Sequence, residues 1–426
     1  MAKEKENITV NDKTRGCYGM AVKPQQAQEW ILRGVQKNIQ RQAAGMPRAT
    51  YNIWGQPGCG KTSIIKQLQT KEVPFQEHQE RIHVVDVPLA QIEEMGDILG
   101  FPVEEIQLTD KTGETRWVKA VDAVIRQYLA DGYALTDNKR TTYAPPAWVP
   151  TEAHPGVILF DDGNRASQRI MRGLMQLVQD YRTISWAIPE GWTIVFTGNP
   201  DNRYNQVTSM DAAQLTRMKH ITLKPDEKEW ALWATSAGID PRGINFILRY
   251  PEMMVGKERT NPRSLTEVFY ALADFDDLTN KEQYGQFMVE CHASLDEETC
   301  ATLGTFLTRE CDLVIDPKTI LESPAEATPA LNALMNPKGG GESRTDIVSV
   351  CMNRLVAYIL SDGYQKQKSH GDNFRTWIFD KAMPKDIVYA GLLWLSSKNP
   401  ARARDFIVDR KVIDMVHDMY KKEAVA

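Results

Sequence analysis

Nowhere in the 426 residues is there an apolar run long enough to cross a bilayer, so no membrane span is expected. The opening Met1-Ala2-Lys3-Glu4-Lys5-Glu6-Asn7 lacks the apolar stretch of a secretory signal, and the expectation is a cytoplasmic protein. Cysteine is scarce. The six residues at 17, 59, 291, 300, 311 and 351 form no C-x-x-C pair, so reduced thiols are the default. Cys291, His292, Cys300 and Cys311 could be drawn around a zinc ion, but their spacing is loose and thiols packed in helices are favoured. There is no stripe of Lys and Arg interleaved with aromatics, and the formal net charge is −5. Both weigh against extensive nucleic-acid binding, although a local basic groove is compatible with them. There is no internal repeat and no low-complexity tract. The remaining composition, 42% apolar and 25% charged, is that of a soluble globular chain, and its length predicts two or three domains.

Against that background one motif stands out. Gly55-Gln56-Pro57-Gly58-Cys59-Gly60-Lys61-Thr62 is a complete GxxxxGK[ST] phosphate-binding loop. Its glycines let backbone N–H groups close around phosphates, Lys61 neutralises the outer phosphates, and the Thr62 hydroxyl can ligate Mg²⁺. Thr50-Tyr51-Asn52-Ile53-Trp54 reads as a strand into the loop. Ser63-Ile64-Ile65-Lys66-Gln67-Leu68 starts a helix out of it, whose N-terminal dipole favours an anion. The competing reading is a glycine-rich turn with a chance lysine, and the strand–loop–helix setting argues against it. Gly55 to Ser63 is therefore the candidate nucleotide-binding segment.

Residues 24–43 read as an amphipathic helix before the first core strand. Val84-Val85-Asp86-Val87, Val157-Ile158-Leu159-Phe160 and Thr193-Ile194-Val195-Phe196-Thr197 are short, β-branched runs of the kind buried on both faces of a sheet. Alternating with helical stretches, they predict an α/β fold with a parallel sheet flanked by helices. After Pro225 the pattern is helical to the end, and Pro337-Lys338-Gly339-Gly340-Gly341-Glu342-Ser343 reads as a linker. Asp346–Leu360, Asn373–Phe379 and Pro384–Ser396 look like helices of a small bundle.

A site that hydrolyses a nucleotide needs a metal carboxylate, a group to orient water, a sensor of the γ-phosphate and a cation for the transition state. The run Val157–Phe160 ends in Asp161 and Asp162, which places two carboxylates at one sheet edge. Asp161 would hold Mg²⁺ through water and Asp162 would polarise the attacking water. An acidic turn is the bland alternative. Asn199, after the strand Thr193–Thr197, could bond the γ-phosphate or the water, though Asn-Pro alone is an ordinary turn signal. Arg217, borne on a helix, and Arg263, at a helix start, are the cationic candidates. A lone arginine is usually a solvated surface residue, and only the order of these elements lifts the two above that.

That order, phosphate loop, strand-Asp-Asp, strand-Gly-Asn-Pro, Ala-Gln-Leu-Thr-Arg and Pro-Arg-Ser-Leu, resembles the AAA+ ATPases of the MoxR-like, dynein-related branch. Asp97-Ile98-Leu99-Gly100-Phe101-Pro102, Ala144-Pro145-Pro146-Ala147-Trp148-Val149-Pro150, Asn164-Arg165-Ala166 and Ile188-Pro189-Glu190-Gly191-Trp192 are similar to bacterial and phage members. The likeness covers about residues 20–275, and Met383-Pro384-Lys385-Asp386 extends it weakly. It implies ATP and Mg²⁺ as cofactors, Gly55–Thr62 as Walker A and Asp161-Asp162 as Walker B. It also implies Asn199 as sensor 1, Arg263 as sensor 2 and Arg217 as an arginine finger reaching a neighbour's nucleotide. A finger acting in trans requires a homo-oligomeric ring, six subunits by resemblance, in a bacterial or phage-infected cell. Residues 1–22 then form a tail, 23–224 the ATPase core with an insert at about 103–142, 225–310 a helical lid and 311–426 a C-terminal helical region. Tyr181–Trp192 becomes a hairpin before sensor 1, its alternation of Ile184, Trp186 and Ile188 fitting a strand.

Two departures matter. Relatives usually carry Asp-Glu where this chain has Asp161-Asp162, and the shorter Asp162 sits about 1.5 Å further from the water, where misplacement by 1 Å costs on the order of 10²-fold. Slow hydrolysis is therefore predicted. The insert is also longer than in close relatives. Trp117, Val118, Val121, Val124, Ile125, Tyr128 and Leu129 recur in it at helical spacing, and the apolar face they form is expected to dock on the ATPase body. The leading reading is an ATP-driven remodelling ATPase acting on a protein partner, by resemblance one with a von Willebrand A domain. A nucleic-acid-associated machine of the clamp-loader or motor kind is the alternative, and a slowly hydrolysing assembly switch is the third. ATP over GTP rests on the resemblance, together with the lack of an Asn/Thr-Lys-x-Asp guanine-reading motif.

Overall fold

The computed structural model describes residues 17–201, 207–208, 210–337 and 341–415. The segment before 17, and Lys338 to Gly340 of the expected linker, lie outside the described residues. The chain divides after Lys224 into two compact units.

The first unit is built on a six-stranded sheet of β1 (Met20–Val22), β2 (Thr50–Trp54), β5 (His83–Pro88), β9 (Gly156–Asp161), β10 (Trp192–Gly198) and β11 (Met218–Leu223). The order across it is β1-β11-β2-β10-β9-β5, and every neighbouring pair is parallel. A parallel sheet needs both faces covered, and the period-2 alternation of its strands divides the cover cleanly. Ile158, Phe160, Ile194 and Phe196 face one way and pack with Ile170, Leu174 and Leu177 of α5 (Gln168–Asp180). Val157, Leu159, Val195, Tyr51 and Ile53 face the other way, against α1 (Pro24–Ala43) and α2 (Lys61–Lys66). This is the doubly covered parallel sheet that the sequence predicts, and it sets β2, β9 and β10 side by side.

Three local readings change. Val84–Val87 is not buried on both faces, because β5 is the sheet edge, pairing only with β9. Met20–Val22, placed in a tail by sequence, forms the opposite edge strand. In the segment 181–192 the strand alternation reduces to one bridge between Arg182 and Ala187. Ile184 stands at 83% exposure at its tip while Ile188 is buried.

The insert differs most from its expectation. It is an antiparallel sheet in the order β7-β6-β8, from β6 (Phe101–Thr109), β7 (Thr115–Lys119) and β8 (Ala134–Ala144), with α4 (Asp122–Ala130) between β7 and β8 in sequence. Trp117 and Val118 therefore lie on a strand, not on a helix, and Val121 is the N-cap of α4. α4 packs on the insert's own β7 and β8, and Leu108 of β6 and Val118 of β7 are buried. A period near 3.6 across residues 117–129 arose because a two-residue-period strand and a short helix abut. The remaining short elements of this unit are the hairpin β3 (Glu72–Phe75) and β4 (His78–Arg81), α3 (Gly96–Leu99) and α6 (Ala212–Thr216).

The second unit is wholly helical among the described residues. It runs α7 (Glu227–Ser236), α8 (Pro241–Arg249), α9 (Pro262–Leu272), α10 (Lys281–Ser294), α11 (Glu297–Arg309), α12 (Pro317–Glu322) and α13 (Pro324–Met335). It continues with α14 (Thr345–Leu360), α15 (His370–Ile378), α16 (Lys385–Lys398) and α17 (Pro400–Ile407). It holds two apolar cores, one around Phe246, Phe269 and Phe306 and one around Leu355, Phe374 and Trp377. α14 is apolar almost all round and serves both, Val350 in the first and Val348, Leu355 and Val356 in the second. Cys291 and Cys300 are buried in the first core, where burial pushes the Cys291 thiol up to about 12 and raises Cys300 as well. These are neutral packing thiols.

Candidate nucleotide site

The phosphate loop leaves the C-terminal end of β2 and turns directly into α2. Two left-handed glycines make the turn, Gly58 at φ 73° and Gly60 at φ 92°, conformations open to glycine without steric cost. Gly55 answers a different constraint, since a Cβ there would come within 2.9 Å of the Cys59 sulfur and 3.2 Å of the Leu223 carbonyl oxygen. Cys59 is thus a packing residue under the loop, buried in the sheet's core on the α1 side. Ser63 lies exposed on the first turn of α2. The Cys17 thiol is also a neighbour of the loop. Burial raises it to about 11, and the Lys61 ammonium opposes that rise.

Lys61 is buried, and its three ammonium protons have three acceptors. Nζ donates to the carbonyls of Gly55 at 2.8 Å and Gln56 at 3.0 Å, and to Oδ1 of Asn199 at 2.9 Å. Thr62 Oγ1 stands 3.0 Å from each carboxylate oxygen of Asp161. The loop hydroxyl and the strand-end carboxylate thus converge from sequence positions 99 residues apart. Both are hard oxygen donors, which fits Mg²⁺, a cation that keeps several waters and takes few protein ligands.

Asp162 begins the turn after β9 with φ 52° and ψ 44°. That left-handed conformation is costly for most residues but tolerated by Asp and Asn, whose short side chains bond locally. Its Oδ1 accepts from Nδ2 of Asn199 at 2.7 Å, and Oδ2 lies 3.5 Å from Nε of Arg165. Asn199 therefore bridges Lys61 on one side and Asp162 on the other. Its own backbone is held at two points by Asn164, whose Oδ1 accepts from the Asn199 N–H at 3.0 Å and whose Nδ2 donates to the Asn199 carbonyl at 2.7 Å.

Two of these polar residues escaped the sequence reading as site components. Thr197 donates to Asp161 and accepts the Asp162 N–H at 2.9 Å, and Asn164 braces Asn199. The signal for Thr197 was present, because a hydroxyl inside a strand buried on both faces requires partners. Asn164 sits within a motif noticed by resemblance, but only the fold reveals what it holds.

The two arginines are carried by other elements of the chain. Arg217 follows α6 and immediately precedes β11, whose first residue Met218 pairs with Thr50 at the start of β2. The loop follows the other end of β2, so five residues of strand, about 16 Å, separate Arg217 from its own phosphate loop along the sheet. Its guanidinium is exposed and held in place, Nε donating to Gln179 Oε1 at 3.0 Å and Nη1 to the Ala213 carbonyl at 2.7 Å. Arg263 belongs to the second unit, exposed in the first turn of α9, where its backbone N–H is capped by Asn261 Oδ1 at 3.0 Å. A cation in a first turn opposes the helix dipole, so Arg263 does not serve the stability of its own helix.

No model of a known protein family matches the chain, and no curated protein matches it. Among solved structures, the ADP complex of Hsp104 from S. cerevisiae aligns at 14% identity and a TM-score of 0.32, over 58% of this chain and 45% of that one. A closed-state structure of Hsp104 with ATPγS and FITC casein aligns at 14% identity and TM-score 0.28, over 50% of this chain and 36% of that one. A RuvB point mutant from Thermotoga maritima aligns at 12% identity and TM-score 0.31, over 84% of this chain and 91% of that one. The chain thus spans less than half the length of those Hsp104 chains. Superpositions this loose do not bear on the chemistry of the site, which rests on its own geometry.

Proposed function

We propose that the chain is a Mg²⁺-dependent ATPase of the AAA+ type, MoxR-like, that assembles into a ring and remodels a protein partner. The observation that carries the catalytic part is the convergence of Thr62, Asp161, Asp162, Asn199 and Lys61 at one edge of a parallel sheet. In the loaded site the Gly55–Ser63 backbone and Lys61 hold the phosphates, while Thr62 and Asp161 hold Mg²⁺, which neutralises charge on the phosphate oxygens. Asp162 takes the proton side of the attacking water, and Asn199 orients that water or the γ-phosphate. The position of Arg217 supports assembly. It is exposed, braced and at the opposite end of β2 from its own loop, which suits a cation offered to a neighbouring subunit. Arg263 is assigned to the nucleotide by resemblance and by its unfavourable helix position. The insert, a small module with its own core, is the candidate contact for the protein partner, and a von Willebrand A domain remains the resemblance-based choice.

A slowly hydrolysing assembly switch is the second reading. It is favoured by Asp162, whose carboxylate is short and already engaged by Asn199 and Arg165. Phosphate release with Mg²⁺ and ATP, measured alongside particle mass by light scattering, separates the two. Sustained release from an ATP-dependent oligomer supports the ATPase. Oligomers without release support the switch, and no nucleotide binding at all refutes both.

A further inference from the structure

Thr197 touches both members of the Asp161-Asp162 pair at the sheet edge. We propose that Thr197 is a positioning residue that sets the metal carboxylate and the water-polarising carboxylate together, an inference that rests on the ATPase reading above.

The placement follows from the sheet. β10 lies between β2 and β9, and the register Phe196 to Phe160 puts Thr197 beside Asp161. Thr197 is fully buried, in a strand where every other side chain but Thr193 is apolar. A hydroxyl carries one proton and two lone pairs. The Asp162 backbone N–H can only donate, so it occupies a lone pair of Thr197 Oγ1 at 2.9 Å. The single hydroxyl proton is then committed to Asp161 Oδ1. The hydroxyl bond to Asp161 fixes the carboxylate that Thr62 approaches at 3.0 Å. The bond from the Asp162 N–H fixes the peptide at which the chain enters its left-handed turn, and so the direction in which Asp162 leaves the backbone. One hydroxyl therefore relates two side chains that adjacent sequence positions would otherwise point apart. Ligand-orienting partners of this kind typically change metal affinity or activity by about 10–100-fold when removed.

Thr197→Val keeps the shape and removes the hydroxyl, and Thr197→Ser restores it. The measurement is the affinity of a fluorescent ADP analogue with and without Mg²⁺, followed by kcat and KM for ATP. For T197V the expected result is an unchanged metal-free affinity, a Mg²⁺ enhancement of binding reduced about tenfold and a kcat reduced by about 10–100-fold. T197S should return both to near wild type. Thr197→Ala provides the same ratios if the valine variant does not fold. Wild-type Mg²⁺ enhancement and kcat in T197V would overturn the proposal and leave the ATPase reading standing. Equal loss of affinity with and without Mg²⁺ in T197V and T197A would mark a merely structural role and overturn it too. A wild-type protein that neither binds the Mg²⁺ nucleotide nor hydrolyses it would sink the ATPase reading itself, and the proposal with it.

Discussion

Replacing Asp162 with glutamate sets two magnitudes against each other. Lengthening the side chain by one methylene carries the carboxylate about 1.5 Å toward the site, where a 1 Å error is worth on the order of 10²-fold in rate. In free energy that is about 2.7 kcal/mol of barrier. The opposing effect is local. Asp162 holds φ 52° and ψ 44°, and its side chain accepts the 2.7 Å bond from Asn199 that a short polar residue needs to rest there. A left-handed residue costs roughly 1–2 kcal/mol, and losing the relief that Asp enjoys would forfeit about 1 kcal/mol of stability. In a unit of this size that corresponds to a fall of about 2–4 °C in Tm.

The reach of the carboxylate outweighs the backbone cost, because the first acts on the barrier and the second on a fold with stability to spare. Asp162→Glu should therefore raise kcat for phosphate release at saturating Mg²⁺ and ATP by about tenfold or more, with nucleotide affinity unchanged. Differential scanning fluorimetry on the same samples gives the Tm. Unchanged or slower turnover in a variant that folds and binds would refute the argument that side-chain length limits this site.

Lys61→Ala should abolish detectable nucleotide binding, since Lys61 Nζ is the cation set deepest in the loop; retained affinity by calorimetry would count against the loop as the phosphate site. Arg217→Ala should leave nucleotide binding intact and lower turnover by up to about 10³–10⁵, and a mixture with Lys61→Ala subunits should recover activity only if the arginine acts between subunits. Arg263→Ala should lower turnover while Tm holds or rises slightly, because the helix loses a cation at its positive end. Val103 pairs with Thr142 across β6 and β8, so replacing 104–141 by a two-residue Asn-Gly turn should preserve the sheet and nucleotide affinity; a collapse in Tm would show the insert to be part of the first unit's core. Burial holds the His220 imidazole below its ordinary value of 6.5, with Nδ1 accepting from Trp54 Nε1 at 3.0 Å. The unfolded chain then binds more protons below that value, so stability should fall as pH drops through about 6.5, and His220→Gln should flatten that part of the melting profile.

The parts of the site governed by short-range order were legible in the sequence. The loop from Gly55 to Thr62 is a contiguous motif whose turn geometry is dictated by Gly58 and Gly60, so reading the residues was close to reading the backbone. Asp161 and Asn199 follow apolar runs, and a parallel sheet brings the ends of such runs to one edge. What was not legible depends on neighbours distant in sequence. Thr197 looked like part of a strand because its meaning lies in β9, and Asn164 because its partner is 35 residues away. In the insert the failure was one of period: apolar spacing over so short a stretch as 117–129 cannot distinguish a strand running into a short helix from one longer helix. The edge position of β5 was hidden for a similar reason, since Val84, Val85 and Val87 have the composition of a central strand and only pairing tells where a strand sits.

The strand order explains why the site concentrates its polar contacts on β10. The loop leaves β2 and the carboxylates leave β9, and β10 separates the two strands. Adjacent strands lie about 4.8 Å apart, so β2 and β9 stand about two spacings from each other and a side chain at the end of the middle strand can reach groups that follow both. Asn199 does so with its two different amide atoms, an acceptor toward Lys61 and a donor toward Asp162, a pairing that carboxylate or ammonium could not supply. A change that turns Asn199 into Asp would keep the Lys61 contact and oppose Asp162 with a like charge, whereas Asn199→Ala would release both. If Asn199 works as this bridge, N199D should lose turnover yet retain nucleotide affinity better than N199A; equal loss of affinity in the two variants would mean that the bridge to Lys61 does not matter for binding.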